Sequence, residues 1–200
     1  MNRVDYRLER WINSPAGSHP VLDASMKAVA TWGEAAFIGI VIVWFLFGWL
    51  TRRTADRRGA ITAVSAAGLA LLANQVIIHL WERPRPFVAH PDTVHVLLAH
   101  ASDPSFPSDH ASPAFAIAIV VLWFHRRFGV GALLLATIMS VARVYVGDHY
   151  PGDVTAGAIV GLIAAIVLVT WLSPVMVAIE RAVDRVLTLA HLIPRASSQA

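Results

Sequence analysis

Residues 154–178 read VTAGAIVGLIAAIVLVTWLSPVMVA, a run of 25 residues without a charged side chain. A helix needs about 20 consecutive apolar residues to cross the roughly 30 Å hydrocarbon core of a bilayer. This stretch is therefore long enough to span a membrane, and it is the cleanest of five such segments. The other four segments are residues 28–50, 60–81, 112–124 and 130–146, of which 112–124 is short unless preceding residues extend it.

The composition favours the same interpretation. Of the 200 residues, 56% are hydrophobic and 14% are charged, against about 25% charged residues in a typical soluble domain. The absence of cysteine excludes a disulfide framework and thiolate chemistry, and a net charge of +3 is too small to indicate a nucleic-acid partner. We therefore predict an all-α, polytopic membrane bundle of about five transmembrane helices, and leave its oligomeric state open.

Residues 1–12 do not have the pattern of a signal peptide, because five charged side chains interrupt any apolar core. Their apolar residues recur on one helical face, at Val4, Leu8, Trp11 and Ile12. This pattern predicts an amphipathic helix lying in the membrane interface, with an ordinary packing helix as the alternative. We therefore divide the chain into an interfacial helix and connector over residues 1–27, a transmembrane domain over 28–178, and a cytoplasmic tail over 179–200.

The arginines predict the orientation of the chain in the membrane. Fifteen of its 16 basic residues are arginine, and the only lysine is Lys27. Basic residues concentrate in the short segments 51–59 and 125–129, which by the positive-inside rule face the cytoplasm together with the C-terminus. The segments 82–111 and 147–153 then face the extracytoplasmic side of a plasma or inner membrane.

Polar residues within or beside the spans fall into three clusters, all at the expected extracytoplasmic side. The clusters are RPRPF at 83–87, FPSDHA at 106–111 and RVYVGDHYPGD at 143–153. In the third cluster His149 and Asp153 are four residues apart, and Pro151 suits the first turn of a helix. A carboxylate beside an imidazole holds it as a base or nucleophile with a fixed tautomer, while Arg143 needs an anionic partner near the membrane.

The other two clusters supply groups that bind anions. Ser108 is a good N-cap for the third span, and the free N–H groups of that helix start, including the one near Asp109, favour a phosphate oxygen. His110 projects from the same turn. A catalytic triad of Ser108, Asp109 and His110 is excluded because consecutive residues point in different directions. In the first cluster the X-Pro steps keep the chain extended, so that Arg83 and Arg85 can both face a polyanion.

Three arginines, two histidines, an aspartate and a helix N-terminus thus converge on one membrane face. This set meets the requirements of phosphoryl transfer through a phosphohistidine. Arginines neutralise the phosphoryl oxygens, one histidine attacks phosphorus, and the other protonates the leaving oxygen.

The clusters resemble the motifs of the type 2 phosphatidic acid phosphatase superfamily, integral membrane lipid phosphatases related to vanadium haloperoxidases. That family combines Lys-x6-Arg-Pro, Pro-Ser-x-His and Ser-Arg-x5-His-x3-Asp. Here Arg85-Pro86, the run from Pro107 to His110, and Arg143 with His149 and Asp153 fit in order and spacing over residues 20–175. The resemblance makes 28–178 the phosphatase domain.

The resemblance implies a role for each matching residue. His149 is the nucleophile, Asp153 orients it, and His110 is the general acid. Phosphate is bound by Arg85, Arg143, Ser108 and a backbone N–H near Asp109. No metal or other cofactor is implied, and the partners are a membrane lipid substrate and the bilayer itself.

Two departures from the family pattern stand out. The family lysine falls at Ile78, so either Arg83 or His79 substitutes for it, and the serine before Arg143 is Ala142. The variants Arg-Pro-Arg-Pro-Phe and Pro-Ser-Asp-His-Ala resemble the branch that dephosphorylates undecaprenyl pyrophosphate.

Other functions stay open. Phosphatidic acid and phosphatidylglycerol phosphate are alternative substrates, and a non-catalytic phospholipid-binding transporter is the alternative of another class. A transporter does not need the pair His149 and Asp153 together with His110. The histidines of the long loop match no compact zinc motif; they are His90, His95, His100 and His110.

Overall fold

A computed structural model describes residues 3–99 and 101–189. The helices in this part of the chain are α1 (Arg3–Asn13), α2 (Pro20–Leu50), α3 (Thr54–Leu80), α4 (Pro86–Ala89), α5 (Ala111–Phe124), α6 (Arg126–Tyr145), α7 (Pro151–Ile166) and α8 (Ser173–Leu189). A single π-helical turn, Val167–Trp171, continues α7. No strand occurs within these described residues.

The long helices are apolar enough to cross a membrane. Four stretches meet the length and hydropathy that a span requires, and they are Pro20–Leu50, Thr54–Leu80, Arg126–Tyr145 and Pro151–Trp171. The fifth predicted span is the shorter apolar helix α5, whose 14 residues extend about 21 Å. The prediction of an all-helical, polytopic membrane bundle with an N-terminal amphipathic helix is confirmed.

Two span boundaries differ by seven or eight residues from those expected from the sequence. Helix α2 begins at Pro20, eight residues before the predicted span, because its first turns carry polar residues such as Asp23 that contact the protein. The last span ends at Trp171, and α8 begins at Ser173, ahead of Pro174. Pro174 cannot donate the backbone hydrogen bond that would continue the preceding helix, so the apolar run 154–178 is divided between two helices.

Helix α5 occupies the centre of the bundle, between α3, α6 and α7. Its alanines at 114, 116 and 118 are buried, and small residues let helix backbones approach closely in membranes. Gly161 of α7 shows how close this approach is, because a Cβ atom there would lie 2.4 Å from the carbonyl oxygen of Ser112. Helices α5 and α7 are therefore in contact through their backbones at the centre of the bundle.

A polar network closes one end of the bundle. The Asp56 carboxylate accepts hydrogen bonds from Trp44 Nε1 at 3.0 Å and from His125 Nε2 at 2.5 Å. Arg57 is buried and bonds to Asp184 of α8 at 2.5 Å. These contacts tie α8 to the α2–α3 turn, so the first part of the predicted tail, 179–189, is helical and docked. The remainder of that tail lies outside the described residues.

Candidate active site

The three polar clusters meet at the other end of the bundle. The first cluster follows α3, the second precedes α5, and the third joins the end of α6 to the start of α7. Helices that alternate in direction place these termini at the same end. The side chains predicted to act together are therefore neighbours in the structure, although Arg83 and Asp153 are 70 residues apart in the sequence.

His149 is buried, with 1% of its surface exposed, and is held through both ring nitrogens. Its Nδ1 lies 3.0 Å from the carbonyl oxygen of Ser105, and its Nε2 lies 3.3 Å from Nη1 of Arg85. A carbonyl oxygen can only accept and a guanidinium can only donate. Nδ1 therefore carries the proton, and the lone pair of Nε2 faces Arg85.

Arg85 is buried beside this nitrogen, and one carboxylate bridges it to a second buried arginine, Arg143. Asp148 Oδ1 accepts a hydrogen bond from Arg85 Nη1 at 2.8 Å, and Asp148 Oδ2 accepts one from Arg143. The same Oδ2 lies 3.4 Å from His149 Nε2. Asp148 is the anionic partner that the sequence required for Arg143, and it lies beside the nitrogen expected to attack phosphorus.

Asp153 lies in the first turn of α7, which begins at Pro151 as the sequence predicts. Its Oδ2 is 3.7 Å from His149 Nδ1 and accepts a hydrogen bond from the backbone N–H of Tyr150 at 2.8 Å. Its Oδ1 accepts a hydrogen bond from Arg83 at 2.7 Å. Nδ1 donates its hydrogen bond to the Ser105 carbonyl, and the Asp153 carboxylate lies slightly farther from the imidazole.

Arg83 is turned toward carboxylates. In addition to Asp153, its Nη2 bonds to Asp5 of α1 at 2.7 Å, and the guanidinium lies 3.9 Å from the centre of the Tyr150 ring. Burial raises the pKa of Tyr150 to about 12, while the positive charge of Arg83 lowers it and the charge of Glu9 raises it. Tyr150 is therefore a neutral phenol at physiological pH.

The second cluster forms the start of α5. The Ser108 hydroxyl oxygen accepts a hydrogen bond from the Ala111 N–H at 3.3 Å, which is the geometry of an N-cap. Asp109 accepts a hydrogen bond from Asn74 Nδ2 at 2.7 Å, and Asn74 Oδ1 accepts one from the Ser112 hydroxyl at 3.1 Å. Asn74 thus bonds between helices and fixes this loop against α3.

His110 stands across the site from His149. The two ring centres are 6.4 Å apart, with the rings inclined at 63°. Nε2 of His110 is 3.7 Å from a carboxylate oxygen of Glu34 on α2. The space between the two imidazoles can therefore receive a phosphoryl group, with one ring on either side.

A cavity of about 300 Å³ runs from His110 into the apolar part of the bundle, between α2, α3 and α5. Its lining is apolar apart from Glu34 and His110, and consists of Glu34, Phe37, Ile38, Val64, Ala67, Gly68, Leu71, His110, Pro113, Ala114 and Ile117. A group leaving the site on the side of His110 would enter an environment suited to a hydrocarbon chain.

The two residues considered as substitutes for the family lysine lie in different surroundings. Nδ1 of His79 is 2.6 Å from the carbonyl oxygen of Gln75 in its own helix. Arg83 bonds to two carboxylates near His149. Of the two, Arg83 belongs to the hydrogen-bond network of His149.

The histidines of the long loop are dispersed. His90 stacks on Tyr6 with ring centres 4.0 Å apart, and the backbone of His95 bonds to Asn13. His100 lies outside the described residues. Across 3–99 and 101–189, the histidine and acidic side chains form no group of three placed to hold a metal ion.

Two groups in the site were not singled out from the sequence. Ser105 acts through its carbonyl oxygen, and a backbone group leaves no side-chain signal in a sequence. Asp148 acts through its side chain, which bridges two buried arginines. The sequence did contain a signal for this role. Asp148 directly precedes His149, and Arg85 and Arg143 had no other assigned anion.

Comparison with known proteins identifies the family. The model for the PAP2 superfamily matches residues 59–191, which include all three clusters. The chain is a member of the PAP2 superfamily. The predicted family and the prediction of a membrane phosphatase are thereby confirmed.

Individual PAP2 proteins resemble the chain over most of its length. The undecaprenyl-diphosphatase BcrC of Bacillus subtilis (strain 168) is 34% identical over 160 residues, which are 80% of each protein. The bacitracin transport permease protein BcrC of Bacillus licheniformis is 35% identical over 165 residues, 82% of this chain and 78% of that protein. The crystal structure of Aquifex aeolicus LpxE superposes with a TM-score of 0.67 at 28% identity, and covers 80% of this chain and 92% of that one.

Proposed function

We propose that this PAP2 phosphatase hydrolyses undecaprenyl pyrophosphate to undecaprenyl phosphate and inorganic phosphate through a phosphohistidine intermediate. The observation that carries the proposal is the setting of His149, whose Nδ1 lies against the Ser105 carbonyl and whose Nε2 lies against the buried Arg85. The similarity to the undecaprenyl-diphosphatase of Bacillus subtilis supports the choice of substrate.

The first step transfers the terminal phosphoryl group. His149 Nε2 attacks the terminal phosphorus, the bond between that phosphorus and the bridging oxygen breaks, and His110 donates a proton to the departing lipid monophosphate. Asp153 and the Ser105 carbonyl stabilise the positive charge that develops on the His149 ring. Arg85 and Arg143, with the Ser108 hydroxyl and the N–H near Asp109, neutralise the phosphoryl oxygens.

The second step releases phosphate. His110, now without its proton, takes a proton from water, and the resulting oxygen attacks the phosphohistidine. The nitrogen–phosphorus bond breaks, the electron pair returns to Nε2, and inorganic phosphate leaves. Both histidines then regain their starting protonation states, so that the cycle balances without a cofactor.

Substrate phosphate needs the arginines that Asp148 contacts. Both guanidinium groups are buried, and a buried charge without a partner is costly. Asp148 supplies that partner before substrate binds, and phosphate takes over the contacts on binding. The lipid chain then extends from His110 along the apolar cavity between α2, α3 and α5.

The orientation of the site in the membrane is also part of the proposal. Arginines at the turns 51–53 and 125–127 lie at the end of the bundle opposite the active site, and basic loops favour the cytoplasmic side. Arg57 contributes less to this bias because Asp184 pairs with it. We place the active site at the extracytoplasmic face of the plasma or inner membrane.

The test measures phosphate release by the purified protein in the presence of EDTA. The substrates are undecaprenyl pyrophosphate, phosphatidic acid and phosphatidylglycerol phosphate. We expect the highest kcat/KM with the polyprenyl substrate and no turnover for His149→Ala. Higher kcat/KM with a glycerophospholipid contradicts the assigned substrate, activity lost on chelation contradicts the metal-free mechanism, and lipid binding without turnover by the unaltered protein favours a transporter.

A further inference from the structure

Helix α1 has its polar side turned toward the protein. Its buried residues are Asp5, Glu9 and Asn13, which recur every four residues and therefore share one face. Its apolar residues Val4 and Trp11 are exposed by 59% and 75%. A helix that served only as a membrane anchor would not need a buried polar stripe, so the stripe indicates a contact with specific polar groups of the bundle.

Asp5 makes the contacts nearest to the active site. Its Oδ2 bonds to Nη2 of Arg83 at 2.7 Å, and its Oδ1 accepts the backbone N–H of Gly152 at 2.7 Å. A Cβ atom on Gly152 would lie 2.6 Å from Asp5 Oδ2, so a glycine is needed for this approach. Gly152 belongs to the first turn of α7, and Asp5 therefore touches the turn that carries Asp153.

A continuous chain of polar contacts links Asp5 to His149. Arg83 bonds to Asp5 through one amino group and to Asp153 through the other, each at 2.7 Å. Asp153 then lies 3.7 Å from Nδ1 of His149. Both carboxylates flank the same guanidinium, so the direction in which Arg83 points depends on both.

We propose that Asp5 is a positioning residue for the nucleophile, and that α1 is a functional part of the active site. Asp5 neutralises one side of Arg83 and anchors the start of α7, which holds Asp153 in place to orient His149. The inference rests on the proposed role of His149 as the nucleophile. It assigns the N-terminal helix a catalytic contribution besides any contribution to membrane attachment.

The test uses Asp5→Asn in the full-length protein. Asparagine keeps an oxygen that can accept the Gly152 N–H but removes the charge that faces Arg83. Because small misplacements of reacting groups cost up to about 100-fold in rate, we expect kcat to fall between about 10- and 100-fold. We expect KM to change by less than about threefold, since Asp5 touches no substrate phosphate. The matched control Arg7→Gln removes an exposed charge from the same helix and should preserve kcat.

A double-mutant cycle separates positioning from general damage. If Asp5 acts through Arg83, the change Asp5→Asn adds little further loss to an Arg83→Gln variant. A kcat within twofold of the unaltered protein, or an equal loss in both backgrounds, overturns the inference. Thermal melts of each variant report whether the fold is kept. An active His149→Ala variant would instead contradict the proposed function, so the two failures are distinguishable.

Discussion

Asp148 Oδ1 lies 2.8 Å from Nη1 of Arg85, and its Oδ2 bonds to Arg143, so one carboxylate occupies the arginine pair expected to bind phosphate. The same carboxylate is 3.4 Å from His149 Nε2. A substrate phosphate that binds there must compete with an anion belonging to the protein. The affinity for phosphate therefore depends on how much more favourable the arginine–phosphate hydrogen bonds are than the arginine–Asp148 hydrogen bonds that they replace.

Replacing Asp148 by asparagine should strengthen phosphate binding. The change removes the competing charge, and a hydrogen bond to a charged group contributes about 1.5 kcal/mol or more, so we expect inorganic phosphate to inhibit at about tenfold lower concentration. The KM for the lipid should fall in parallel. Asp103→Asn is the matched control, because Asp103 contacts Arg85 at Nε instead of Nη1 and is half exposed. Weaker phosphate inhibition of Asp148→Asn would mean that Asp148 helps the arginines bind substrate.

Replacing His110 by glutamine should affect substrates according to their leaving group. Loss of a general acid costs about 10²- to 10⁴-fold when the leaving oxygen needs a proton, as for the alkoxide that departs from phosphatidic acid. The loss should be much smaller with p-nitrophenyl phosphate, whose leaving group departs as a stable anion. Steady-state kcat/KM for both substrates provides the comparison. Equal losses for the two would assign His110 to phosphate binding instead.

The general position of the site could be predicted because it depends on helix ends. The short connection between two apolar runs carries Arg143, His149 and Asp153, and His110 lies at the start of another apolar run. Because successive spans alternate in direction, these residues come to the same side of the membrane. The position of Arg83 could not be predicted in the same way. Its partner Asp5 is 78 residues distant, and only the docking of α1 on the bundle brings the two together.

The other differences between the sequence predictions and the structure have local causes. The Ser105 carbonyl that bonds to His149 is a backbone group, and any residue type could supply it. The bridging role of Asp148 depends on the path of the loop between α6 and α7, which hydropathy does not describe. The end of the last span was placed too late because Ser173 and Pro174 interrupt the helix without lowering its apolar character.

Filling the apolar cavity should discriminate against long lipid chains. Gly68 lines this cavity, and a Cβ atom there would meet no atom within 4 Å, so Gly68→Leu adds bulk without disturbing the fold. We expect KM for undecaprenyl pyrophosphate to rise about tenfold or more, while isopentenyl pyrophosphate, which has the same head group, is hydrolysed as before. The control Gly39→Leu also has open space around it but does not line the cavity. Equal KM values for both glycine variants would place the lipid chain elsewhere.

The orientation can be measured directly because the chain contains no cysteine. Single cysteines in place of Asp92, at the active-site end, and Arg127, at the opposite end, would both be exposed. We expect a membrane-impermeant maleimide to label the cysteine at 92 in intact cells and the cysteine at 127 only after permeabilisation. The reverse pattern would place the active site in the cytoplasm.

Glu9 should make the stability of the protein depend on pH. Its carboxylate is fully buried and accepts no hydrogen bond from the described residues. Burial raises its pKa from 4.5 to about 7, while Arg10 lowers the pKa and Asp5 raises it. Between these two values the folded protein holds a proton that the unfolded chain has lost, so the free energy of unfolding falls as the pH rises from about 4.5 to 7 and then levels off.

The change Glu9→Gln should therefore raise the Tm at pH 8 and leave it nearly unchanged at pH 4.5. A neutral amide does not lose a proton in this range, so the part of the pH dependence due to Glu9 disappears. Thermal unfolding in detergent across pH 4.5–8 measures the effect, with the exposed Glu82→Gln as the matched control. A Glu9→Gln protein that loses stability equally at both pH values would show that the carboxylate has a partner, and that its charge stabilises the docking of α1.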